Sequence, residues 1–436
     1  MKLVEMHKIR NKDPNYEFLL NACISANNLY NHGNYIIRQK FIETTKLKEQ
    51  GKLKNAEWLR CSQVDKILQK DTNYPDYRTL PTAACSQQIL RLLDKNWKSF
   101  FESIKKWKKN PNAFTGRPKL PKYRKKQEPF MLIIPSQKAC KIKNNKLVFT
   151  KAFHNLEIKT RCQNLKNFES IQQVRIIPKR DYLKVEVVYS IKDEEKLNTN
   201  LQRSLAIDVG IDNLMTITTN LIKEKPIIIN GKPIKAINHY FNKQKAYLQS
   251  RAEKCQKKKT SKRLQNLSEI RENKINDYFH KVSKWIVDYC KANKIGNIII
   301  GHSNFWKQNL NLGKINNQKF TQIPFSKLFQ MIRYKALREN IWLQITEESY
   351  TSKASFYDND EIPVWNKGQK NAVNFSGKRI KRGLYQMKNG QVLNADVNGS
   401  LNIMRKVIGD VEKPAYKGFG ANPLKITMKK NTNKKT

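Results

Sequence analysis

Two aspartates stand where an acid is costly. Asp208 closes the apolar run Leu205-Ala206-Ile207. An acid at the end of a central strand loses hydration unless a cation compensates it. Asp396 opens the segment DVNGSLNIMRK, in which Val397, Leu401 and Met404 recur at helical spacing, so it stands where a helix begins. Alone it reads equally well as an N-cap. The surrounding chain is strongly basic: 85 Lys and Arg against 36 Asp and Glu, a formal net charge of +49. Such a chain suits a polyphosphate partner, and carboxylates facing phosphates repel them unless a metal stands between. In-line cleavage of a phosphodiester needs charge neutralised at the attacking and leaving oxygens. Two Mg2+ ions about 4 Å apart supply this when three or four carboxylates hold them. Magnesium takes oxygen donors, so acids rather than cysteines are the expected ligands.

The elements that must position these acids follow from the pattern. SLAIDVGIDNLMTITTN at 204–220 and PIIING at 226–231 predict three strands; residues 236–293 predict basic helices. GNIIIG at 296–301 predicts a strand, 325–340 a helix and WLQITEE at 342–348 a further strand. The order β-β-β, helix, β, helix, β is that of an RNase H-like mixed sheet with flanking helices. In the N-terminal half, residues 2–10 predict a strand and 16–109 helices. Their stripes are Leu19, Leu20, Cys23, Ala26, Leu29, Tyr30 and Ile89, Leu90, Leu92, Leu93, Trp97, Phe100. Residues 129–191 predict strands. The fold class expected is α/β plus a β-barrel. The barrel would take residues 1–14 and 110–200, with an inserted helical lobe at 15–109. The RNase H-like domain would take 201–410, and the Lys/Asn-rich 411–436 a disordered tail.

The segment NPNAFTGRPKLPKYRKK at 110–126 crowds Arg117, Lys119, Lys122, Arg124 and Lys125 around Phe114 and Tyr123. An extended basic loop with aromatics can follow a phosphate backbone and stack a base; a solvated linker has the same composition. Lys257, Lys258, Lys259 and Arg263, in KKKTSKR, are further candidates for backbone contact. No stretch reaches the roughly 20 apolar residues of a membrane span, and the N-terminus lacks an apolar signal core, so a cytoplasmic, nucleoid-associated protein is expected. The seven cysteines are scattered, without a C-x-x-C pair, and all precede residue 291. That fits a reducing compartment and argues against disulfides and a cysteine zinc site.

The residues from Leu205 to Asn220, the helix RENKINDYFHKVSKWIVDYC at 271–290, TSKAS at 351–355 and DVNGSLNI at 396–403 resemble TnpB, the transposon-encoded relative of type V CRISPR effectors. GRPKLPKYRKK resembles the Gly-Pro-basic segment of that family's N-terminal half. The resemblance implies an RNA-guided DNA endonuclease with a RuvC-like site. A guide RNA from the transposon end would pair with one strand of double-stranded target DNA, and the protein would read a short adjacent motif. The family's first and third carboxylates fall on Asp208 and Asp396. Strand joining, as by a transposase, is not expected.

Two departures stand out. The family carries a catalytic Glu just after the fourth strand, where this chain has Gly301-His302. It also carries two cysteine pairs as a zinc ribbon, where this chain has Ser355 and Asp358, then the region of Tyr385 and Lys388, so no zinc is expected. One reading moves the missing acid to the neighbouring strand end, as Glu348 or alternatively Glu347. Alternation along the strand favours Glu348. Asp208, Glu348 and Asp396 would then hold Mg2+. The alternative is a nuclease-dead RNA-guided DNA-binding protein acting as a repressor. A plain nucleic-acid coating protein is a third reading. His302 is an alternative ligand, Asp212 is expected to shape the turn between the first two strands, and Asp358, Asp360 and Glu361 are expected in a surface loop.

Overall fold

A computed structural model describes residues 1–136, 139–165, 167–192, 199–222, 224–256, 261–302, 318, 321–364, 374–409, 411–413, 420 and 422–428. The chain divides into two units, Met1–Glu194 and Glu195–Thr436.

In the first unit, β1 (Lys2–Arg10) is followed by the helices α1 (Tyr16–Glu49), α2 (Cys61–Lys70), α3 (Asp76–Thr79) and α4 (Ala83–Lys109). Six strands follow: β2 (Leu132–Pro135), β3 (Cys140–Lys143), β4 (Lys146–Phe149), β5 (Glu157–Lys159), β6 (Phe168–Pro178) and β7 (Tyr182–Ile191). The antiparallel sheet runs β1-β7-β6-β2, so the helices are inserted between two strands of one sheet. The strands β3-β4-β5 form a separate sheet. Among the described residues these two sheets do not join into the closed barrel expected from the strand pattern. Leu19, Ala26, Leu29, Ile89, Leu93 and Trp97, from the two helical stripes, are buried together. Each leucine or isoleucine among them stabilises by roughly 1.5–3 kcal/mol. Gly33 lets α1 and α4 approach: a Cβ there would stand 3.0 Å from Leu93.

The second unit carries the predicted strand and helix order. The strands β8 (Asn200–Val209), β9 (Asn213–Thr219) and β10 (Ile227–Asn230) lead to α5 (Lys232–Gln256) and α6 (Lys262–Ala292). Next come β11 (Ile295–Gly301), α7 (Phe325–Arg338) and β12 (Trp342–Thr346). A small sheet of β13 (Lys378–Lys381), β14 (Leu384–Gln386) and β15 (Val392–Asn394) precedes α8 (Ala395–Ile408), and β16 (Leu424–Ile426) ends the described strands. The main sheet has the order β12-β11-β8-β9-β10-β16. The pairs β8/β11 and β11/β12 are parallel, and β8/β9 and β9/β10 antiparallel. Such a mixed sheet needs a layer on each face. Leu205, Ile207, Ile298 and Ile300 bury against α6 and α7, while Ala206 and Ile299 bury against Ile403 and Met404 of α8. No helix among the described residues is long and apolar enough to cross a membrane.

Candidate active site

Side chains alternate across a strand. With Leu205 and Ile207 on the α6 side, Asp208 falls on the Ala206 side, under α8. The sheet and α8 come close because α8 presents small residues there. The Ser400 hydroxyl donates to the carbonyl of Ala206 at 3.1 Å and lies 2.9 Å from the Thr218 hydroxyl. A Cβ on Gly399 would stand 3.1 Å from Oδ2 of Asp208. Asp208 is partly exposed as a residue, yet its carboxyl is deeply set. Burial pushes it well above the usual carboxylate range, and Asp396 and Glu348 push it further as like charges. A hydrogen bond from the Val209 backbone and the Arg379 charge oppose this.

Asp396 is not the N-cap of its helix. Asn394 caps α8, its Oδ1 accepting from the backbone N–H of Asp396 at 3.0 Å and of Val397 at 3.2 Å. The carboxylate of Asp396 is therefore available to the cleft. It accepts a hydrogen bond from Asn213 Nδ2 at 2.7 Å and lies 3.5 Å from Arg379 Nη2.

The two glutamates separate because β12 stops at Thr346, so both lie in the turn beyond it. Strand alternation does not reach them. Glu347 turns to Lys406, whose Nζ lies 2.7 Å away, and accepts from the Ser349 N–H. Burial raises its pKa, but these hydrogen bonds outweigh burial and hold it below the ordinary range. Glu348 acts on Asp208 as a like charge that helps to raise its pKa. The register shows what lies beside the position where the resemblance calls for an acid. Ile300 pairs with Ile207, so Gly301 stands level with Asp208 at the strand end where the resemblance calls for an acid. A Cβ at Gly301 would collide with Ile403 at 2.3 Å and lie 3.5 Å from the Cβ of Glu348. Glu348 thus occupies space beside the missing side chain.

The turn carrying Glu348 is stapled to α8 by two buried asparagines. Asn402 Nδ2 donates to the carbonyls of Thr351 and Ala354, and Asn398 donates to Ala354 and accepts from the Phe356 N–H. The sequence reading missed both. Their signal was two amides at i, i+4 on an otherwise apolar helix face. Asp358 and Asp360 lie at the surface, beside exposed Asn359 and Glu361, yet both are partly buried and form a hydrogen-bonding hub. Asp358 accepts from the Ser355 hydroxyl at 2.5 Å and the Lys388 N–H at 3.1 Å, and Asp360 from the N–H groups of Ser355 and Ser376. Buried Tyr385 donates to the carbonyl of Lys353 at 2.7 Å. Ser355, Asp358, Tyr385 and Lys388 are the positions where the resemblance places the cysteine pairs.

Asp212 lies between β8 and β9, where its carbonyl accepts from the N–H of Gly231 beyond β10 at 2.8 Å and its carboxylate is paired with Lys235 and Arg382. His302 turns its ring edge-on to Phe329 of α7, 5.2 Å away, on the opposite face of the sheet from Asp208. Asp208, Glu348 and Asp396 offer oxygen donors only, which suits Mg2+. Among the described residues, no three Cys, His, Asp or Glu groups already stand close enough to hold an ion.

In the first unit, the 110–126 segment is no loose linker. Asn27, Asn31 and Asn34, one face of α1, donate to the carbonyls of Lys125, Arg124 and Pro121. Arg124 is drawn inward, Nε to Asn27 at 3.0 Å and its guanidinium over Phe130. Tyr123 is 46% exposed beneath Arg38, and Arg117, Lys119, Lys122 and Lys125 are exposed. In the second unit Arg263 is exposed on α6. Lys257, Lys258, Lys259 and the residues beyond 428 lie outside the described residues; of the expected disordered tail, Leu424–Ile426 instead form β16, paired in parallel with β10.

Residues 186–305 match the family model OrfB_IS605, described as a probable transposase, and residues 325–403 match the Cas12f1-like TNB domain. No curated protein matches the chain. Among solved structures, similarity extends to a Cas12f1–sgRNA–target DNA complex, with 14% identity, 86% of this chain and 81% of that one covered, and TM-score 0.49. The mini-RNA-guided endonuclease CRISPR-Cas_phi3 shows 9% identity, 95% and 94% coverage and TM-score 0.47. C2c1 of Alicyclobacillus acidoterrestris with single-guide RNA shows 8% identity, 91% and 70% coverage and TM-score 0.39. The paired family matches, OrfB_IS605 over the main sheet and Cas12f1-like TNB over the segment ending in Asp396, are consistent with the TnpB-like family.

Proposed function

We propose that this chain is a transposon-encoded RNA-guided DNA endonuclease that cuts target DNA beside a short motif by Mg2+-dependent phosphodiester hydrolysis. One observation carries the reading. Asp208 is set deep under α8 with Asp396 and Glu348 as its strongest like-charge neighbours. Like charges that act on one another in this way cost stability although they do not yet stand close enough to hold an ion, and strongly perturbed carboxyls of this kind are candidates for a site that a cation would complete. Asp208, Glu348 and Asp396 would hold Mg2+, which would neutralise charge on the phosphoryl oxygens. Asn213 orients Asp396. Lys406 draws Glu347 away, and the Asn398/Asn402 staple holds the turn that aims Glu348. The net charge of +49 supplies backbone affinity for guide RNA and target DNA. The Cas12f1-like match supports guidance by RNA.

The test is cleavage of a plasmid library with a randomised motif beside a guide-matched target, by protein purified with its transposon-end RNA. Mg2+-dependent cutting should disappear with Asp208→Ala, Glu348→Ala and Asp396→Ala and persist with Glu347→Ala. Guide-dependent binding without cutting under any divalent metal would overturn the nuclease reading and leave a nuclease-dead binder.

A further inference from the structure

One face of α5 has no partner among the described residues and a composition that the acid site does not use. At 3.6 residues per turn, Tyr240, Lys243, Tyr247, Arg251 and Lys254 are spaced 3, 4, 4 and 3 apart and form one stripe, about 21 Å long at 1.5 Å per residue. All five are exposed, both tyrosines at 56%. The opposite side of α5 carries the apolar and buried residues: Ile234, Asn238 and Ala252 are buried, with Ile237, Phe241 and Leu248 partly so. That side is anchored to α6, where Arg271 donates to Asn238 at 2.7 Å and lies over Phe241. The tyrosines are therefore not core residues left over from packing. Glu253, the one acid of α5, falls off the stripe. Small residues, Ala236, Ala246 and Ser250, flank it. Arg251 lies over the Tyr247 ring at 5.8 Å, with Nη1 3.3 Å from the hydroxyl, so a cation is already set beside an exposed aromatic face.

Alternating cations and exposed rings match one chemistry, a charged backbone carrying flat bases. Rings at these positions can stack only on bases that are not paired. We propose that this face of α5 is a binding platform for an unpaired nucleic-acid strand, with Tyr240 and Tyr247 stacking bases and Lys243, Arg251 and Lys254 contacting phosphates. RNA and DNA share this chemistry, and the assay separates them. The platform is independent of cleavage, so it is tested on full-length protein carrying Asp208→Ala.

Fluorescence anisotropy is measured with labelled single-stranded RNA, single-stranded DNA of the same sequence and the corresponding DNA duplex, over a series of salt concentrations. Tyr240→Ala with Tyr247→Ala should weaken single-strand binding about tenfold while leaving its salt dependence in place. Lys243→Gln with Arg251→Gln and Lys254→Gln should lower the slope of log affinity against log salt by about two, at roughly 0.7 per lost phosphate contact on a single strand. Tyr240→Phe with Tyr247→Phe should bind like the parent, because stacking needs the ring and not the hydroxyl. The larger loss between RNA and DNA identifies the strand. Tyrosine variants that bind both single strands normally, equal losses on duplex and single strand, or failure of the phenylalanine pair to restore binding would each overturn the platform. A protein that fails to cut the plasmid library would leave all of these readings intact.

Discussion

Replacing Asp208 by asparagine should stabilise the metal-free protein and remove its response to divalent cations. The carboxyl at 208 loses hydration and feels Asp396 and Glu348 as like charges, which Arg379 opposes. Its folded pKa is raised above the unfolded one. Such an acid keeps its proton in the folded state after the unfolded chain has lost it. Its contribution is therefore complete below the ordinary value of 3.8 and is lost as pH rises from there to the raised folded value. Asparagine keeps the shape and removes the charge. Exchanging buried charge for a neutral group of similar size returns about 1–4 kcal/mol, and the partial exposure of residue 208 places the gain near the lower end, about 1–2 kcal/mol. For a unit the size of Glu195–Thr436, each kcal/mol moves the melting temperature by about 2–4 °C. Scanning calorimetry in EDTA should then show the variant melting about 2–8 °C higher at pH 8, with a smaller gain at pH 5. Added Mn2+ or Mg2+ should raise the parent, by about 2.7 kcal/mol at a hundredfold excess over Kd, and leave the variant nearly unmoved. A variant less stable than the parent in EDTA, or one that gains as much from metal, would refute the argument that these acids are gathered for a cation.

Further outcomes follow from particular contacts. Gly399→Ala places a methyl 3.1 Å from Asp208 Oδ2, so cleavage should fall by at least tenfold while circular dichroism stays unchanged. Glu347→Gln should leave cleavage within about threefold of the parent but lower stability by about 1 kcal/mol, read by urea denaturation, because Lys406 loses a charged partner. Asp358→Ala removes the acceptor shared by Ser355 and Lys388. It should cost about 2–3 kcal/mol in the same assay, and Asp358→Asn, which keeps one acceptor oxygen, should recover part of that.

Much of the fold was legible because burial leaves a period in the sequence. β-Branched runs broken by Gly and Asp marked β8, β9, β10 and β11, and the stripes through Leu19–Tyr30 and Ile89–Phe100 marked α1 and α4. Asp208 could be read as costly from its apolar neighbours alone, and the charge excess pointed to phosphate partners before any contact was known. Period is silent where side chains bond to backbone. The asparagines that pin 121–125 onto α1, and those that staple 351–356 onto α8, look in sequence like ordinary polar residues. The hub at Asp358 and Asp360 was legible only as a surface loop because its acceptors are satisfied by backbone donors distant along the chain.

The acids show the division most sharply. Sequence by itself placed Asp208 on a strand end and put Asp396 at a helix start, and the resemblance pointed to Glu348 or Glu347, with His302 as an alternative ligand, in place of the acid missing after the fourth strand. Only the tertiary structure decided between N-cap and cleft for Asp396, because the capping bonds belong to Asn394. It alone paired Glu347 with Lys406 and left Glu348 acting on Asp208 as a like charge. The physical reason is that β12 ends at Thr346. Beyond a strand end the alternation that sequence can read no longer applies, and the direction of each side chain is set by what packs beside the turn.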